Sequence, residues 1–162
     1  MDRTFLLEAL KARQEELTAN IILPVKPKKG ESNEDRAPEV FTGRLPDRAS
    51  ETDKAPYIVN MVLNSTFRQL HGEEPESICI VRSVVCVYHE KHDEGAMAVL
   101  AIMERIRIAF QKNPILDDRY ELDMETGIQD ICYPDDTAPF YMGEMITVWK
   151  LPPVEREVRQ WL

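Results

Sequence analysis

The chain has 162 residues, 43% of them hydrophobic and 30% charged, the balance of a globular protein with one core; collagen-like, wholly disordered and membrane-embedded classes are excluded. Lysine and arginine total 20 against 29 acids, and the net charge of −9 sets up a field that repels phosphates and disfavours direct nucleic-acid binding. No apolar run approaches the about 20 residues of a spanning helix, and the charged start MDRTFLLEALKARQ lacks a signal peptide's apolar stretch, so an intracellular chain, or part of something assembled inside a cell, is expected.

Residues 4–19 are predicted as a helix, with Leu6, Leu10 and Leu17 on one stripe, Asp2 or Thr4 as its cap and Asn20 at its end. Residues 26–56 then form an extended polar arm or loop in which Val40, Phe41 and Leu45 are the strongly apolar positions. Its bases Lys26, Lys28, Lys29, Arg36, Arg44 and Arg48 sit among comparable numbers of acids. They can meet a polyanion or an acidic neighbour, but a solvated loop explains them more simply. Strand formers dominate Tyr57 to Leu63 and Ser77 to Tyr88, and in the second run Cys79, Val81, Val85 and Val87 share one face while Ile78, Ile80, Val84 and Cys86 share the other. Two apolar faces predict a central strand.

A long helix over 94–112 follows, with Val99, Ile102, Met103, Ile106, Ala109 and Phe110 on its stripe and Asp93 as its cap; Asn113-Pro114 stops it. Three further strand-like runs, 119–123, 128–133 and 140–151, precede a terminal amphipathic segment with Val154, Val158, Trp161 and Leu162. The expected fold class is α+β over one domain, 1–162: a mostly antiparallel sheet with one long helix packed on a face, plus N-terminal and C-terminal helices.

Chemistry-bearing clusters are few. Cys79, Cys86 and Cys132 lack CxxC spacing and fall in apolar runs, as inert buried thiols would. His89 and His92 within HEKHDE could serve a small metal-dependent enzyme, or a solvated turn with a capping aspartate. Asp117, Asp118, Glu121, Asp123, Glu125, Asp130, Asp135 and Asp136 face the single base Arg119, but no nucleophile or oxyanion loop accompanies these acids. Glycine-rich phosphate loops and GxSxG elbows are absent from the sequence, so no catalytic residue, metal or cofactor is assigned and a non-enzyme is expected.

Four stretches carry a resemblance: Glu39 to Pro46 (EVFTGRLP), Ala55 to Val59 (APYIV), Val84 to Phe110 (VVCVYHEKHDEGAMAVLAIMERIRIAF), and Pro139 to Glu144 (PFYMGE) with Trp149, Leu151 and Pro152. In this order they resemble the tail-terminator, or head–tail joining, proteins of long-tailed bacteriophages and prophages. The resemblance implies a structural virion protein forming a hexameric ring at the tail–neck junction. Its partners are then further copies of itself, the tail tube protein and head or neck connector proteins, with DNA passing through the channel and assembly in the host cytoplasm. Another connector or neck subunit is the alternative within that class. An acidic channel suits passing phosphates, so Asp117, Asp118, Glu121 and Asp123 are expected to face the lumen. Phe41, Arg44, Val158, Trp161 and Leu162 are the expected subunit-interface residues.

Overall fold

The computed structural model describes residues 2–27, 34–45, 54–134 and 138–155. Helix α1 (Arg3–Thr18) leads to strands β1 (Glu39–Thr42), β2 (Tyr57–Arg68) and β3 (Glu76–Tyr88). Helix α2 (His92–Lys112) leads to β4 (Ile115–Leu116), β5 (Tyr120–Leu122), β6 (Gln129–Cys132) and β7 (Phe140–Lys150). Among the described residues this is an α+β fold with two helices and one mixed sheet of order β1-β2-β3-β7-β5-β4, in which β6 also pairs with β7.

The antiparallel expectation holds for every pairing except β1 with β2, which is parallel. Strand β1 lies inside the stretch expected as a polar arm; Val40, its one buried residue, pairs with Ile58 and enters the core. The long helix packs on a face of the sheet as expected, and the N-terminal helix packs there beside it. Leu6 and Leu10 of α1 join Val99, Ile102, Met103, Ile106 and Phe110 of α2 in one cluster against Val81, Val85 and Trp149, so two helices share the face. The expected C-terminal helix falls largely on 156–162, outside the described residues.

Strand β3 is central, between β2 and β7, as its two apolar faces predicted. Cys79, Val81, Val85 and Val87 point to the helices; Val84, Cys86 and Tyr88 point the other way, into a smaller cluster with Leu45, Ala55, Tyr57 and Val59. The α2 stripe is buried as expected at Val99, Ile102, Met103, Ile106 and Phe110, with Ala109 partly buried, but the helix begins at His92 with Lys91 as N-cap and no capping side chain. Asp93 sits in the first turn, where its charge meets the positive end of the helix dipole. On α1 the Asp2 carboxylate does cap, accepting from the backbone N–H of Thr4 at 2.9 Å and of Phe5 at 3.3 Å.

The α1 stripe continues from Leu10 through Gln14 and Thr18, both buried, with Leu17 partly buried against the same core. Gln14 is tolerated there because Asn60 and Ser83 reach it from the sheet. Asn60 Nδ2 donates to Gln14 Oε1 at 2.6 Å, Gln14 Nε2 donates to Asn60 Oδ1 at 3.1 Å, and the Ser83 hydroxyl donates to Asn60 Oδ1 at 2.6 Å. This triad fixes the rotation of α1 over β2 and β3.

Two glycines let α2 approach β7. A Cβ on Gly95 would lie 2.2 Å from the Tyr141 ring, and one on Gly143 would meet Val99 Cγ1 at 2.9 Å, Met103 Cε at 3.0 Å and the Ile131 carbonyl oxygen at 3.1 Å. Backbone at Ile131 cannot rotate away, so Gly143→Ala overpacks the contact. We expect a loss of about 1–3 kcal/mol, the range for overpacked cores, read as a thermal midpoint about 3–10 °C lower. An unchanged midpoint would show that the helix stands off the strand.

Candidate functional site

The four acids expected at a lumen lie near one another in sequence, but local backbone accounts for three of them. Leu116 pairs with Tyr120 and Ile115 with Glu121, and the turn between them holds Asp117 at φ 53° and Asp118 at φ 51°. Left-handed conformations at two successive turn positions favour Asp, Asn and Gly, so these acids suit the tight reversal. Both are exposed, as is Glu121. Asp123 folds the next turn: its carboxylate accepts from the Glu125 N–H at 3.1 Å, the Thr126 N–H at 3.4 Å and the Thr126 hydroxyl at 2.8 Å. The Thr126 hydroxyl above all, aided by the two N–H groups, holds this carboxyl below the usual aspartate range.

That turn divides what would otherwise be one strand. Leu122 pairs with Trp149 and Gln129 with Ile146, so seven steps along one strand match three along β7 and four residues, Met124 to Gly127, are extruded. Upstream of the extrusion β5 is covered by β4. Downstream, all four residues of β6 are exposed, and no strand among the described residues pairs with its outer edge. Cys132 lies here, so the expectation of three buried thiols is corrected: Cys79 and Cys86 are buried and Cys132 is exposed. Burial pushes the Cys86 thiol up to about 12, which makes it inert at neutral pH.

The two histidines turn to different partners. His89 Nδ1 accepts from the Lys91 N–H at 3.1 Å, and its Nε2 lies 3.1 Å from Glu94 Oε2. His92 Nδ1 shares a 2.6 Å hydrogen bond with the Tyr141 hydroxyl. Among the described residues, no group of three His, Cys, Asp or Glu side chains is arranged to hold a metal ion.

The basic arm is dispersed. Arg36 ties its ends together, donating to the Pro56 carbonyl at 2.9 Å, the Ala37 carbonyl at 3.2 Å and the Lys54 carbonyl at 2.5 Å, while its backbone pairs with Leu23. The Lys26 ammonium rests 5.8 Å from the Phe140 ring centroid. Phe41, an expected interface residue, packs edge-to-face on Tyr57 at 6.4 Å and is half-buried. Arg44 is exposed and borders an open cleft of about 350 Å³ with Gly43, Leu45, Met61 and Arg82. Lys28, Lys29, Arg48, Val158, Trp161 and Leu162 lie outside the described residues.

One polar cluster was not anticipated. On the sheet face away from the helices, Arg82 of β3 forms an ion pair with Glu144 of β7 and donates to the Tyr133 hydroxyl at 2.5 Å. A charged residue inside the apolar run SICIVRSVVCVY was its sequence signal; its partner lies 62 positions away, beyond any local pattern. The hydrogen bond to Glu144 raises the Arg82 pKa further, which keeps the guanidinium charged.

Neither a scan against protein-family models nor a search of curated proteins found a match to this chain. No helix among the described residues is long and apolar enough to cross a membrane.

Proposed function

We propose that this chain is a structural virion subunit of a long-tailed phage or prophage, a ring-forming tail terminator that joins the tail tube to the head or neck. The observation that carries the reading is that the four resembling stretches come together in three dimensions. They supply β1, the start of β2, the end of β3 with most of α2, and β7 with its exit, and these are mutually packed elements around one sheet. The exposed acids on the β4–β5 turn support the channel role, because like charge keeps passing phosphates from sticking. In the ring, Asp117, Asp118, Glu121 and Asp123 lie closer to the lumen than the basic arm does, while Phe41, Arg44 and the terminal Val158, Trp161 and Leu162 contact neighbouring copies.

Electron microscopy of the protein alone and mixed with tail tubes tests this. Rings with a central channel, stacked on one end of the tube, are the expected result. Rings that ignore the tube, or that bind the neck connector alone, would favour a different neck component, and an absence of rings would overturn the reading.

A further inference from the structure

Two bare backbone edges lie on opposite sides of the same sheet. One is β6, described above. The other is the distal half of β2: β1 covers only Tyr57 to Asn60, so from Met61 to Arg68 the edge away from β3 has no strand beside it among the described residues. Bare edges recruit further strands, and both of these carry exposed apolar side chains. Leu63 is 52% and Phe67 59% exposed at the β2 edge; Ile131 is 51% and the neighbouring Met97 of α2 63% exposed at the β6 edge.

We infer that these two edges pair with each other between copies, the distal half of β2 in one subunit adding to β6 of the next, so that the sheet runs on across the subunit boundary. The inference rests on the ring reading above in one respect, that copies stand side by side in a common orientation. Three observations on this chain carry it.

The first is direction. From β2 through β3 and β7 to β6 each step is antiparallel, so β6 runs opposite to β2. Copies related by rotation about an axis therefore bring the two edges together antiparallel, keeping the alternation and leaving every pair of helices on the same side. Such a contact is heterologous, the kind that closes into a ring rather than stopping at a dimer.

The second is offset. Ile131 is level with Val84 through Glu144, whereas Thr66, which points to the same face, is level with Ile78, six residues nearer the start of β3. That is about 20 Å of stagger across four strands that span about 19 Å. Placing the copies at equal height then tilts the strands by about 45°, at the upper end of the range at which sheets close into barrels.

The third is chemistry on the shared face. Asp130 and Cys132 project to the helix side of the sheet, opposite Met145 and Gly143, and Ser65 and Phe67 project to that same side, opposite Cys79 and Ser77. The Arg3 guanidinium lies over Phe67, 5.4 Å from its centroid. Pairing thus sets a cation and an aromatic ring against the Asp130 carboxylate and the apolar wall formed by Met97 and Leu100 beside Cys132. A slip of one residue would turn Phe67 to the wrong face, which fixes the register to steps of two.

Cross-linking tests the pairing directly, because Cys132 is the one exposed thiol among the described residues. Phe67→Cys treated with a short bismaleimide should give a ladder of covalent multimers on a denaturing gel. Thr66→Cys points to the opposite face and should give about tenfold less, Cys132→Ser in the Phe67→Cys background should abolish the ladder, and wild type should stay monomeric. Equal yields from positions 66 and 67, or a wild-type dimer band from β6 meeting β6, would overturn the pairing. Rings in the microscope without a Phe67→Cys ladder would overturn it and leave the ring assignment standing. A ladder from protein that never caps a tail tube would uphold the pairing and remove the tail-terminator reading.

Discussion

Trp149→Ala is expected to lower unfolding stability by about 3–5 kcal/mol, the range for removing a fully buried large aromatic side chain. Its indole is 0% exposed, meets Phe110 edge-on at 5.4 Å between centroids, and donates from Nε1 to the Thr147 hydroxyl at 2.8 Å. Phe110 belongs to the last turn and a half of α2 and Trp149 to the end of β7, so the cavity would open where the long helix meets the sheet. Against a total stability of about 5–15 kcal/mol for a native protein, this one change removes about a fifth or more. Urea titration should show a lower midpoint with an unchanged slope. Trp149→Phe keeps the ring contact but strands the Thr147 hydroxyl, and about 1–2 kcal/mol is expected to be lost. A loss under about 1 kcal/mol for the alanine variant would mean that the helix end does not depend on this contact.

Asn60→Leu should cost about 2–4 kcal/mol even though it adds apolar bulk to a buried site. The leucine leaves Gln14 Oε1 without its donor and the Ser83 hydroxyl without its acceptor, and each orphaned buried group costs about 1–3 kcal/mol. The sharper expectation concerns the combination Gln14→Leu, Asn60→Leu and Ser83→Ala. With all three polar groups removed, nothing is left unpaired, and the triple variant should be more stable than Asn60→Leu alone. Full double-mutant cycles by chemical denaturation measure this. Strictly additive losses would show that the three side chains act separately rather than as one network.

These two sites differ in how far the sequence foretold them. Trp149 lies in a run rich in strand formers, so its place on a strand was legible, and its pairing with Cys79 of the central strand turns it to the helix side. The central position of β3 and the buried stripe of α2 were legible for the same reason: each is a long periodic pattern that one local period explains. Gln14 was not legible, because a polar residue on an apolar stripe looks like the end of the stripe until Asn60 and Ser83, 46 and 69 positions away, are brought to it. Strand β1 was missed because four residues with one buried side chain carry almost no period, and it exists through its pairing with β2. At the candidate site, the acid run was visible, yet the left-handed backbone that Asp117 and Asp118 adopt was not. The exposure of Cys132 depends on which strand ends the sheet, a property of strand order that an apolar run does not encode.

The four residues extruded at Met124 to Gly127 limit how strongly the molecule can adhere to its own kind. Without them, β5 and β6 would merge into one long uncovered margin, the sort of surface that nucleates fibres. With Asp123 bracing the extrusion and β4 sealing the upstream part, only the four residues of β6 remain bare along this margin among the described residues. Were copies to pair through this stretch as inferred above, a single such contact would be weak enough to be broken and remade, so misplaced copies would be released and only arrangements in which many contacts form at once would persist.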